Sequence, residues 1–382
     1  MKKNYGKLSI ALHKKHRGKI EIVSKFPIKN REDLSLAYTP GVAAVSLAIA
    51  KDRKQAKLLT SSKNTVAIIS DGSAVLGLGN IGAEAALPVM EGKAVLFKHF
   101  AGIDSFPIVL ATQDVEEIIS TVKAIAPTFG AINLEDISAP RCFEIEERLK
   151  KELNIPVMHD DQHGTAVVVL SGLINALKVT KKKKGEVKVV INGAGAAGTA
   201  TTKLLHLYGF KNLLICDSQG VIAKSRKDLN IHKKNLLKIT NHKNVSGTLH
   251  EVLVGADIFI GVSKANQLNA ENVRSMNASP IIFSLANPNP EITLEEARLG
   301  GAAIYASGRS DLPNQVNNVL VYPGLFKGVL ASGAKQITDK MKLSAAEALA
   351  KVVKGPKAEL IIPNPFDTKV VKAVSEAVKK AS

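Results

Sequence analysis

The sequence predicts an α/β protein built from two domains. The chain has 382 residues, which is too long for one ordinary hydrophobic core and fits two domains of typical size. Strand-length runs of branched apolar residues alternate with helix-like segments in both halves, as in sheets covered by helices. A glycine-rich turn follows one of these runs, at Val187–Gly198. We therefore predict an N-terminal α/β domain over residues 1–161 and a second α/β domain with C-terminal helices over residues 162–382.

The stretch VKVVINGAGAAG at Val187–Gly198 has the pattern of a dinucleotide-binding turn. Gly193 suits the tight turn after the strand, Gly195 allows the backbone to approach a pyrophosphate, and Gly198 allows the next helix to pack closely. The following strand ends at Asp217, whose carboxylate is predicted to accept hydrogen bonds from the adenosine ribose. The second domain is thus predicted to be a Rossmann-type, doubly wound domain that binds NAD or NADP. The predicted cofactor contacts in the turn are Gly193, Ala194, Gly195, Ala196, Ala197 and Gly198.

The same glycine pattern occurs earlier, in GLGNIG at Gly77–Gly82, so the pattern alone does not locate the cofactor. Pro88 and Gly92 interrupt the helical spacing after this first copy, whereas a helix without such breaks follows the second. We therefore assign the dinucleotide to the second copy and interpret the first as a turn between core elements. Met90–Phe97 is interpreted as leading into a buried strand, with Lys93 at its edge. Lys93 is then either a surface lysine or a proton-transfer group with a pKa lowered by burial.

Acidic residues follow two neighbouring predicted strands. Ala131–Leu134 leads into one acid pair, and Ile155–Met158 leads into His159 and a second pair, with a helix between them. The two strands of such a βαβ unit are parallel, so both pairs are expected at the carboxyl edge of one sheet. Four carboxylates together need a cation, and an oxygen-only set favours Mg²⁺ or Mn²⁺; helix caps or solvated loop acids are the alternative. The acids are Glu135, Asp136, Asp160 and Asp161.

A tyrosine and two asparagines stand at predicted element ends. Tyr38 precedes a helix predicted within Leu36–Ala50, and it is either a packing residue or a catalytic one. Asn287 follows one predicted strand, and Asn317 precedes another, Val319–Tyr322. Asparagines in turns are usually structural, through bonds to the local backbone. The residues expected to form the buried face of the first helix are Val42, Val45, Leu47 and Ile49.

The composition is that of a soluble globular protein, with 45% hydrophobic and 23% charged residues. No run approaches the roughly 18 uninterrupted apolar residues of a membrane span, and the N-terminus is not a convincing secretory signal. Cys142 and Cys216 are far apart in sequence and lack metal-type partners nearby, so both are expected to be buried thiols. We therefore predict a cytoplasmic protein without membrane association.

A formal net charge of +18 raises the possibility of a nucleic-acid-binding protein. The lysines are scattered, however, and the densest run, Lys181–Lys184, is interpreted as a solvated linker. Aromatic residues amount to 4% and tryptophan is absent from the sequence, which leaves little for stacking on bases. We expect no nucleic-acid partner, although the positive field favours anionic substrates.

Further motifs occur in a fixed order between about Ala37 and Pro323. They are YTPGVA at Tyr38–Ala43, LGLGNIG at Leu76–Gly82, VMEGKAVLFK at Val89–Lys98, GIDSFPI at Gly102–Ile108, NLEDI at Asn133–Ile137, HDDQHGTA at His159–Ala166, the NGAGAAG turn, and SLANPNPE at Ser284–Glu291. Each motif is weak alone, but together they are specific. The chain resembles the malic enzymes, most closely the compact prokaryotic type.

The resemblance implies metal-dependent oxidative decarboxylation of L-malate to pyruvate and CO₂, with reduction of NAD or NADP. It implies that Lys93 is the general base, that Tyr38 is the general acid and that Asp160 assists the base. The implied metal ligands are Glu135, Asp136 and Asp161. The implied substrate contacts are Lys93, Gly77, Asn287 and Asn317, of which Asn287 is also assigned to coenzyme binding.

The resemblance leaves open how the substrate carboxylate is held, which coenzyme is preferred and which of the alternative functions applies. Many larger members have a substrate-binding arginine before the LGLG turn, where this chain has Ser73–Val75, so the turn's backbone is expected to hold that carboxylate. Asp217 favours NAD, but Lys224 and Arg226 follow and could meet the 2′-phosphate of NADP. The resemblance also suggests a homodimer. The alternatives are a malolactic-type enzyme on the same scaffold, which makes lactate without net redox change, and a basic nucleic-acid-binding protein.

Overall fold

The computed structural model describes residues 4–75 and 77–382. The first three residues and Leu76, which opens the LGLGNIG motif, lie outside the described residues. The strands are β1 (Thr65–Ser70), β2 (Asp104–Val109), β3 (Ala131–Leu134), β4 (Val157–His159), β5 (Lys188–Asn192), β6 (Asn212–Asp217), β7 (Gly220–Val221), β8 (Ile258–Gly261), β9 (Ile281–Ser284) and β10 (Ile304–Ser307). The helices are α1 (Tyr5–His16), α2 (Arg31–Ala37), α3 (Val42–Lys51), α4 (Ala56–Leu59), α5 (Ala83–Ala101), α6 (Val115–Ile125), α7 (Arg141–Glu152), α8 (Asp160–Thr180), α9 (Ala196–Tyr208), α10 (Ile231–Leu236), α11 (Leu249–Leu253), α12 (Ala270–Arg274), α13 (Leu294–Leu299), α14 (Tyr322–Ser332), α15 (Asp339–Val352) and α16 (Lys369–Ala381).

The strands form two open sheets that are wound in the same way. The first has the order β2-β1-β3-β4, with every neighbouring pair parallel. The second has the order β10-β9-β8-β5-β6-β7, with the short β7 antiparallel to β6 and the other pairs parallel. Each sheet has a switch point, between β1 and β3 and between β5 and β8, where α/β proteins bind ligands. The predicted α/β fold with a doubly wound second domain is confirmed.

The sheets are buried on both faces. Ile68 of β1 and Ile191 of β5 belong to one continuous apolar core that spans both sheets. Because side chains alternate along a strand, the neighbouring Ile69 and Val190 face the other way, into two smaller clusters. Both cysteines are buried free thiols, as expected. Parallel sheets covered on both faces explain why the strands read as continuous apolar runs in the sequence.

Helix α8 connects the two sheets. Its 21 residues follow β4 directly, and most of them are buried, partly against α9 and α15. Gly172 on this helix leaves room for β9, since an added Cβ would lie 3.0 Å from the ring of Phe283. The predicted boundary between residues 161 and 162 falls in the first turn of α8. The two sheets are therefore linked by a continuous buried helix.

The predicted strand near Met90–Phe97 is wrong, because this segment lies within α5. The helix continues through Pro88 and Gly92, and its buried residues recur every three or four positions, which is helical spacing. An unbroken helix therefore follows the first glycine motif as well, so the expected helix break does not distinguish the two copies. What distinguishes them is that α9 begins inside the second motif, directly after Gly195, whereas α5 begins only after Gly82.

The predicted strand Val319–Tyr322 is also wrong. The segment forms a short 3₁₀ turn, Asn318–Leu320, and then begins α14. Its apolar residues are buried, and a short buried run does not distinguish strand from helix by its pattern. Pro323 lies in the first turn of α14, where its missing N–H costs no helical hydrogen bond.

The first three helices lie outside the continuous core and outside the two smaller clusters. None of α1, α2 and α3 contains a buried residue. The expected buried face of α3 is therefore not buried in the single chain: Leu47 is 71% exposed, Val42 and Val45 are exposed, and Ile49 is partly buried. The prediction of a buried face on this helix is therefore wrong for the single chain. The arm, residues 4–51, also exposes Tyr5, Leu8, Ile10, Leu12, Ile20, Ile22, Val23, Phe26, Ile28, Leu34 and Leu36.

Two stretches have the length and apolar character of a membrane span, Arg31–Lys51 and Asp160–Thr180. The second is the core helix α8, with 67% of its apolar window buried. The first is interrupted at residues 38–41, between α2 and α3. Such stretches are weak evidence for a membrane, and the expectation of no membrane association stays a prediction.

Candidate active site

The two acid pairs meet at the carboxyl edge of the first sheet. Leu134 at the end of β3 pairs with His159 at the end of β4. Glu135 and Asp160 are consequently the next residues on two neighbouring parallel strands. The structure thus brings the two acid pairs together, as the βαβ pattern predicts. We call this carboxyl edge of the first sheet the acid edge.

Three carboxylates at this edge form a compact oxygen cluster. One oxygen from each of Glu135, Asp136 and Asp161 lies within 4.8 Å of the others. The Asp136 N–H donates to Asp161 Oδ2 at 2.8 Å, and the Asn133 side-chain amide donates to Glu135 Oε2 at 2.9 Å. Glu135 and Asp136 are buried, while the Asp161 side chain is about a third exposed. This oxygen-only donor set fits a hard divalent cation such as Mg²⁺ or Mn²⁺.

Lys93 extends from the middle of α5 to the same edge. Its Nζ donates to Asp160 Oδ2 at 2.6 Å and forms a second ion pair with Glu135. The ammonium group also lies 4.5 Å from the centroid of the Tyr322 ring, a cation–π contact. Only 7% of Lys93 is exposed. It is therefore a buried cation held between two carboxylates rather than a lysine at a strand edge.

Burial and charge act in opposite directions on these groups. Burial lowers the pKa of Lys93, but the carboxylates of Asp160 and Glu135 outweigh it and hold the pKa above its ordinary value. Burial raises the pKa of Glu135 and that of Asp160 to about 7, with Lys93 opposing the rise. Burial also lowers the pKa of His159 to about 4, so this histidine is neutral. A cation near the carboxylates would compete with Lys93 for their charge and lower the pKa of Lys93.

Two residues that sequence reasoning missed hold the corner between β4 and α8. A Cβ added to Gly164 would lie 2.1 Å from Asp160 Oδ1, so a larger residue would displace that carboxylate. Buried Glu146 on α7 accepts the His159 N–H at 3.1 Å and lies 3.0 Å from His163 Nε2. Neither residue carries a sequence signal, since Glu146 is one of several acids on an amphipathic helix and Gly164 is a glycine in a helical pattern.

Gly77 and Asn287, predicted to contact substrate from different domains, lie against each other. Gly77 has a φ of 74°, and an added Cβ would lie 2.2 Å from the Asn287 carbonyl oxygen. The first glycine turn therefore meets the loop after β9. Asn317 caps the 3₁₀ turn before α14, and the next residue, Asn318, lies close to Gly164. Gly77 of the first domain and Asn287 of the second are thus brought together, whereas Asn317 directly precedes a residue that packs close to Gly164 of α8.

Tyr38 is the predicted site residue that the structure does not join to this cluster. It lies at the C-terminal end of α2 and is 69% exposed. Within residues 4–75 and 77–382, no hydrogen bond or ring contact links it to Lys93. The tyrosine in contact with Lys93 is Tyr322, which is 1% exposed. Sequence reasoning missed Tyr322 because it assigned the residue to a strand.

The second glycine motif opens onto a cleft of about 820 Å³. Gly193 has a φ of 121°, and a Cβ added to Gly198 would lie 1.7 Å from the Gly193 carbonyl oxygen, so packing requires glycine there. A Cβ added to Gly195 would meet nothing within 4 Å, which leaves the space above the turn free for a ligand. The N-terminus of α9, starting with Ala196 and Ala197, follows at once and favours a phosphate group through its free N–H groups.

Asp217 lies at the far wall of this cleft and is paired with two cations. Arg226 binds its carboxylate through two nitrogens, at 2.7 and 3.0 Å, and Lys233 Nζ lies 2.6 Å from Oδ2. Burial raises the pKa of Asp217, but these two partners outweigh it and lower the pKa to about 2. Lys224, by contrast, does not pair with Asp217; its backbone N–H donates to Asn244 Oδ1. Lys233 is a further residue that the sequence pattern did not indicate, because it lies 16 positions after the strand end.

Comparison with protein families agrees with this architecture. Residues 17–150 match the family profile described as malic enzyme, N-terminal domain. Residues 162–381 match the profile described as malic enzyme, NAD binding domain. Together the two profiles account for most of the chain, and binding of NAD or NADP is assigned to the second domain.

Individual relatives extend over the same range. The bifunctional malic/malolactic enzyme of Bacillus subtilis (strain 168) is 55% identical over 377 residues, covering 98% of this chain and 92% of the relative. The NADP-dependent malic enzyme of Rhizobium meliloti (strain 1021) is 48% identical over 386 residues, covering 96% of this chain and 50% of the relative. The crystal structure of an NAD-dependent malic enzyme from Thermotoga maritima has a TM-score of 0.95 at 52% identity, covering 97% of this chain and 98% of that one. The chain is a member of the malic enzyme family.

Proposed function

We propose that this protein catalyses the metal-dependent oxidative decarboxylation of L-malate to pyruvate and CO₂, with reduction of NAD or NADP. The observation that carries the proposal is the buried pair of Lys93 and Asp160 beside three clustered carboxylates. A hydroxy acid needs a base for its hydroxyl proton, and its carboxylate needs a compensating positive charge. Family membership and the dinucleotide cleft support the same reaction.

The metal and the coenzyme supply what side chains lack. Glu135, Asp136 and Asp161 would hold Mg²⁺ or Mn²⁺, which supplies a Lewis acid for the substrate oxygens. NAD or NADP, which the turn from Gly193 to Gly198 would hold and which Asn287 is proposed to contact, would supply the hydride acceptor. The remaining work, which is proton transfer and orientation, is assigned to residues of the chain.

Lys93, which burial and a metal ion at the carboxylates would keep neutral by lowering its pKa, takes the proton from the C2 hydroxyl of malate. Its pairing with Asp160 positions Nζ and gives the proton a second acceptor, which is why we assign Asp160 as the residue that assists the base. Gly77, Asn287 and Asn317 are proposed to orient malate at the acid edge. After CO₂ leaves, Tyr38 protonates C3 of the resulting enolate.

We further propose that the protein works as a cytoplasmic homodimer without nucleic-acid or membrane partners. The arm, residues 4–51, exposes many apolar side chains and buries none, which is typical of a surface that a partner covers. Tyr38 belongs to this arm and is exposed in the single chain. Covering the arm would remove Tyr38 from solvent, a condition that suits a proton donor.

The activity is tested by mixing the full chain with L-malate, Mn²⁺ and either NAD or NADP. Net formation of reduced nicotinamide and pyruvate is expected, because the site has both a base and a dinucleotide cleft. The malolactic alternative is favoured by the name of the relative from Bacillus subtilis and predicts lactate without net reduced coenzyme. Absorbance at the reduced-nicotinamide band and lactate analysis separate the two, and an inert protein would contradict both.

Lys93→Ala and Tyr38→Phe are expected to lower kcat by about two orders of magnitude or more, the typical contribution of a general acid or base. Lys98→Ala, on the same helix but exposed and paired with Asp104, is the matched control for the lysine. Tyr5→Phe, an exposed tyrosine on α1, is the control for Tyr38. Steady-state kinetics at saturating malate provide the measurement. A kcat near the parent value in either site variant would remove that residue from its assigned role.

Coenzyme preference is proposed to follow from Asp217, which favours NAD by repelling a 2′-phosphate while Arg226 and Lys233 are occupied. Asp217→Ser frees both cations, so kcat/KM is expected to rise for NADP and fall for NAD, shifting their ratio by roughly tenfold or more, about 1.4 kcal/mol. Asp228→Asn, which removes an exposed partner of Arg226 and leaves Asp217, is the control. An unchanged ratio in Asp217→Ser would show that the preference is set elsewhere.

A further inference from the structure

A second cleft, of about 850 Å³, lies between the two domains and next to the coenzyme cleft. Its walls come from α7 and the start of α8 on one side and from α9, α10 and the start of α15 on the other. Phe143 and His232 line both clefts, and their ring centroids are 4.8 Å apart, so this ring pair forms the partition. The size and the position at a domain boundary are typical of a small-molecule site.

Positive side chains dominate the walls of this cleft. Five lysines face three carboxylates, an excess of two positive charges among these eight groups. Lys151 pairs with Glu147 at 2.7 Å, and Lys342 pairs with Asp339 at 2.6 Å. The lysines are Lys150, Lys151, Lys203, Lys238 and Lys342, and the carboxylates are Glu146, Glu147 and Asp339.

Lys150, Lys203 and Lys238 make no ion pair with any of the residues that the structure describes. They belong to α7, to α9 and to the segment after α10, so three separate elements each bring a lysine without an ion pair to one cleft. The positive charges also act on a neighbouring acid: burial raises the pKa of Asp339, but Lys342, His163 and, to a smaller extent, Lys150 outweigh it. An anion with two or more charges is the ligand that such a surface stabilises.

Polar contacts connect this cleft to the acid edge. Lys342 is 5% exposed, and its Nζ lies 3.3 Å from His163 Nδ1. The other ring nitrogen of His163 lies 3.0 Å from Glu146, which accepts the N–H of His159. His159 directly precedes Asp160, the partner of the catalytic lysine. A ligand beside Lys342 is therefore one contact away from the first turn of α8, which contains His163, and three contacts away from His159.

We propose that this cleft binds a small organic anion with at least two negative charges, a polycarboxylate or a phosphorylated metabolite, and that its occupancy changes the affinity for malate. Such an anion pairs with Lys150 of the first domain and with Lys203 and Lys238 of the second, and it thereby ties α7 to the coenzyme domain. A ligand that favours one arrangement of the domains changes the affinity at the other site, and the effect is reciprocal. The binding site is independent of the proposed function, whereas the effect on malate rests on it.

Binding is tested by isothermal titration calorimetry on the full chain, without divalent metal and with saturating reduced coenzyme to fill the neighbouring cleft. Tricarballylate serves as the carboxylate probe and fructose 1,6-bisphosphate as the phosphate probe. At least one is expected to bind once per chain, and more weakly as salt rises. Absence of saturable binding by both probes would overturn the proposal, and because no turnover is involved, this outcome is distinct from a failure of the proposed activity.

The double variant Lys203→Gln, Lys238→Gln locates the binding site. Its affinity for the bound probe is expected to fall by roughly tenfold or more, since it loses two charge-assisted contacts. Lys234→Gln removes one lysine charge on α10 outside the cleft and is expected to leave the affinity within about twofold of the parent. Equal affinities in the double variant and the parent would contradict this location.

The coupling is tested by measuring the KM for malate with and without the bound probe. The probe is expected to change KM in the parent and not in the double variant, which also separates coupling from direct competition at the malate site. A KM that the probe leaves unchanged in the parent, or changes equally in the double variant, would refute the coupling.

Discussion

Lys93 is a buried cation whose charge is balanced by Asp160 and Glu135, and the arrangement of the first domain depends on this contact. Buried charges are costly unless they are paired, and removal of one partner leaves the others uncompensated. The carboxylates in turn come from the ends of two parallel strands, where their mutual repulsion requires positive charge. Helix α5 supplies one positive charge, that of Lys93. The proposed divalent cation would supply another at the cluster of three carboxylates. The same ion pair therefore stabilises the sheet edge and positions the proposed base.

The two domains contribute complementary halves of one site because their sheets have the same winding. Each sheet has a crevice at its switch point, and the buried helix α8 connects the two sheets. Two glycines allow close packing in this region: Gly77 lies against the Asn287 carbonyl, and Gly164 leaves room for the Asp160 carboxylate. The glycine motif of the second domain belongs to the NAD-binding domain, and that of the first domain is proposed to belong to the substrate side. The two motifs differ in structure because the helix starts at a different point in each.

The strands and the acid edge could be predicted from the sequence, because parallel buried strands carry a strong local signal and their ends are marked by polar residues. Residues Ala131–Leu134 form a strand with the predicted bounds. The segments around Lys93 and Tyr322 could not be assigned, since short apolar runs satisfy both strand and helix patterns until packing selects one. Contacts between distant segments, such as Lys233 with Asp217, leave no local signal at all. The burial expected for α3 is absent in the single chain, because an apolar pattern does not specify which surface would cover it.

The most direct test of the central claim is a Mn²⁺ titration of the full chain, followed by calorimetry or electron paramagnetic resonance. One Mn²⁺ per chain is expected for the parent, with an affinity weakened by roughly tenfold or more in Asp161→Asn and in Glu135→Gln, because each loses an anionic ligand. Glu144→Gln, an exposed acid on α7, is the control and should bind as the parent does. Equal Mn²⁺ affinity in all four proteins would contradict the account that the acid edge of the first sheet holds the metal.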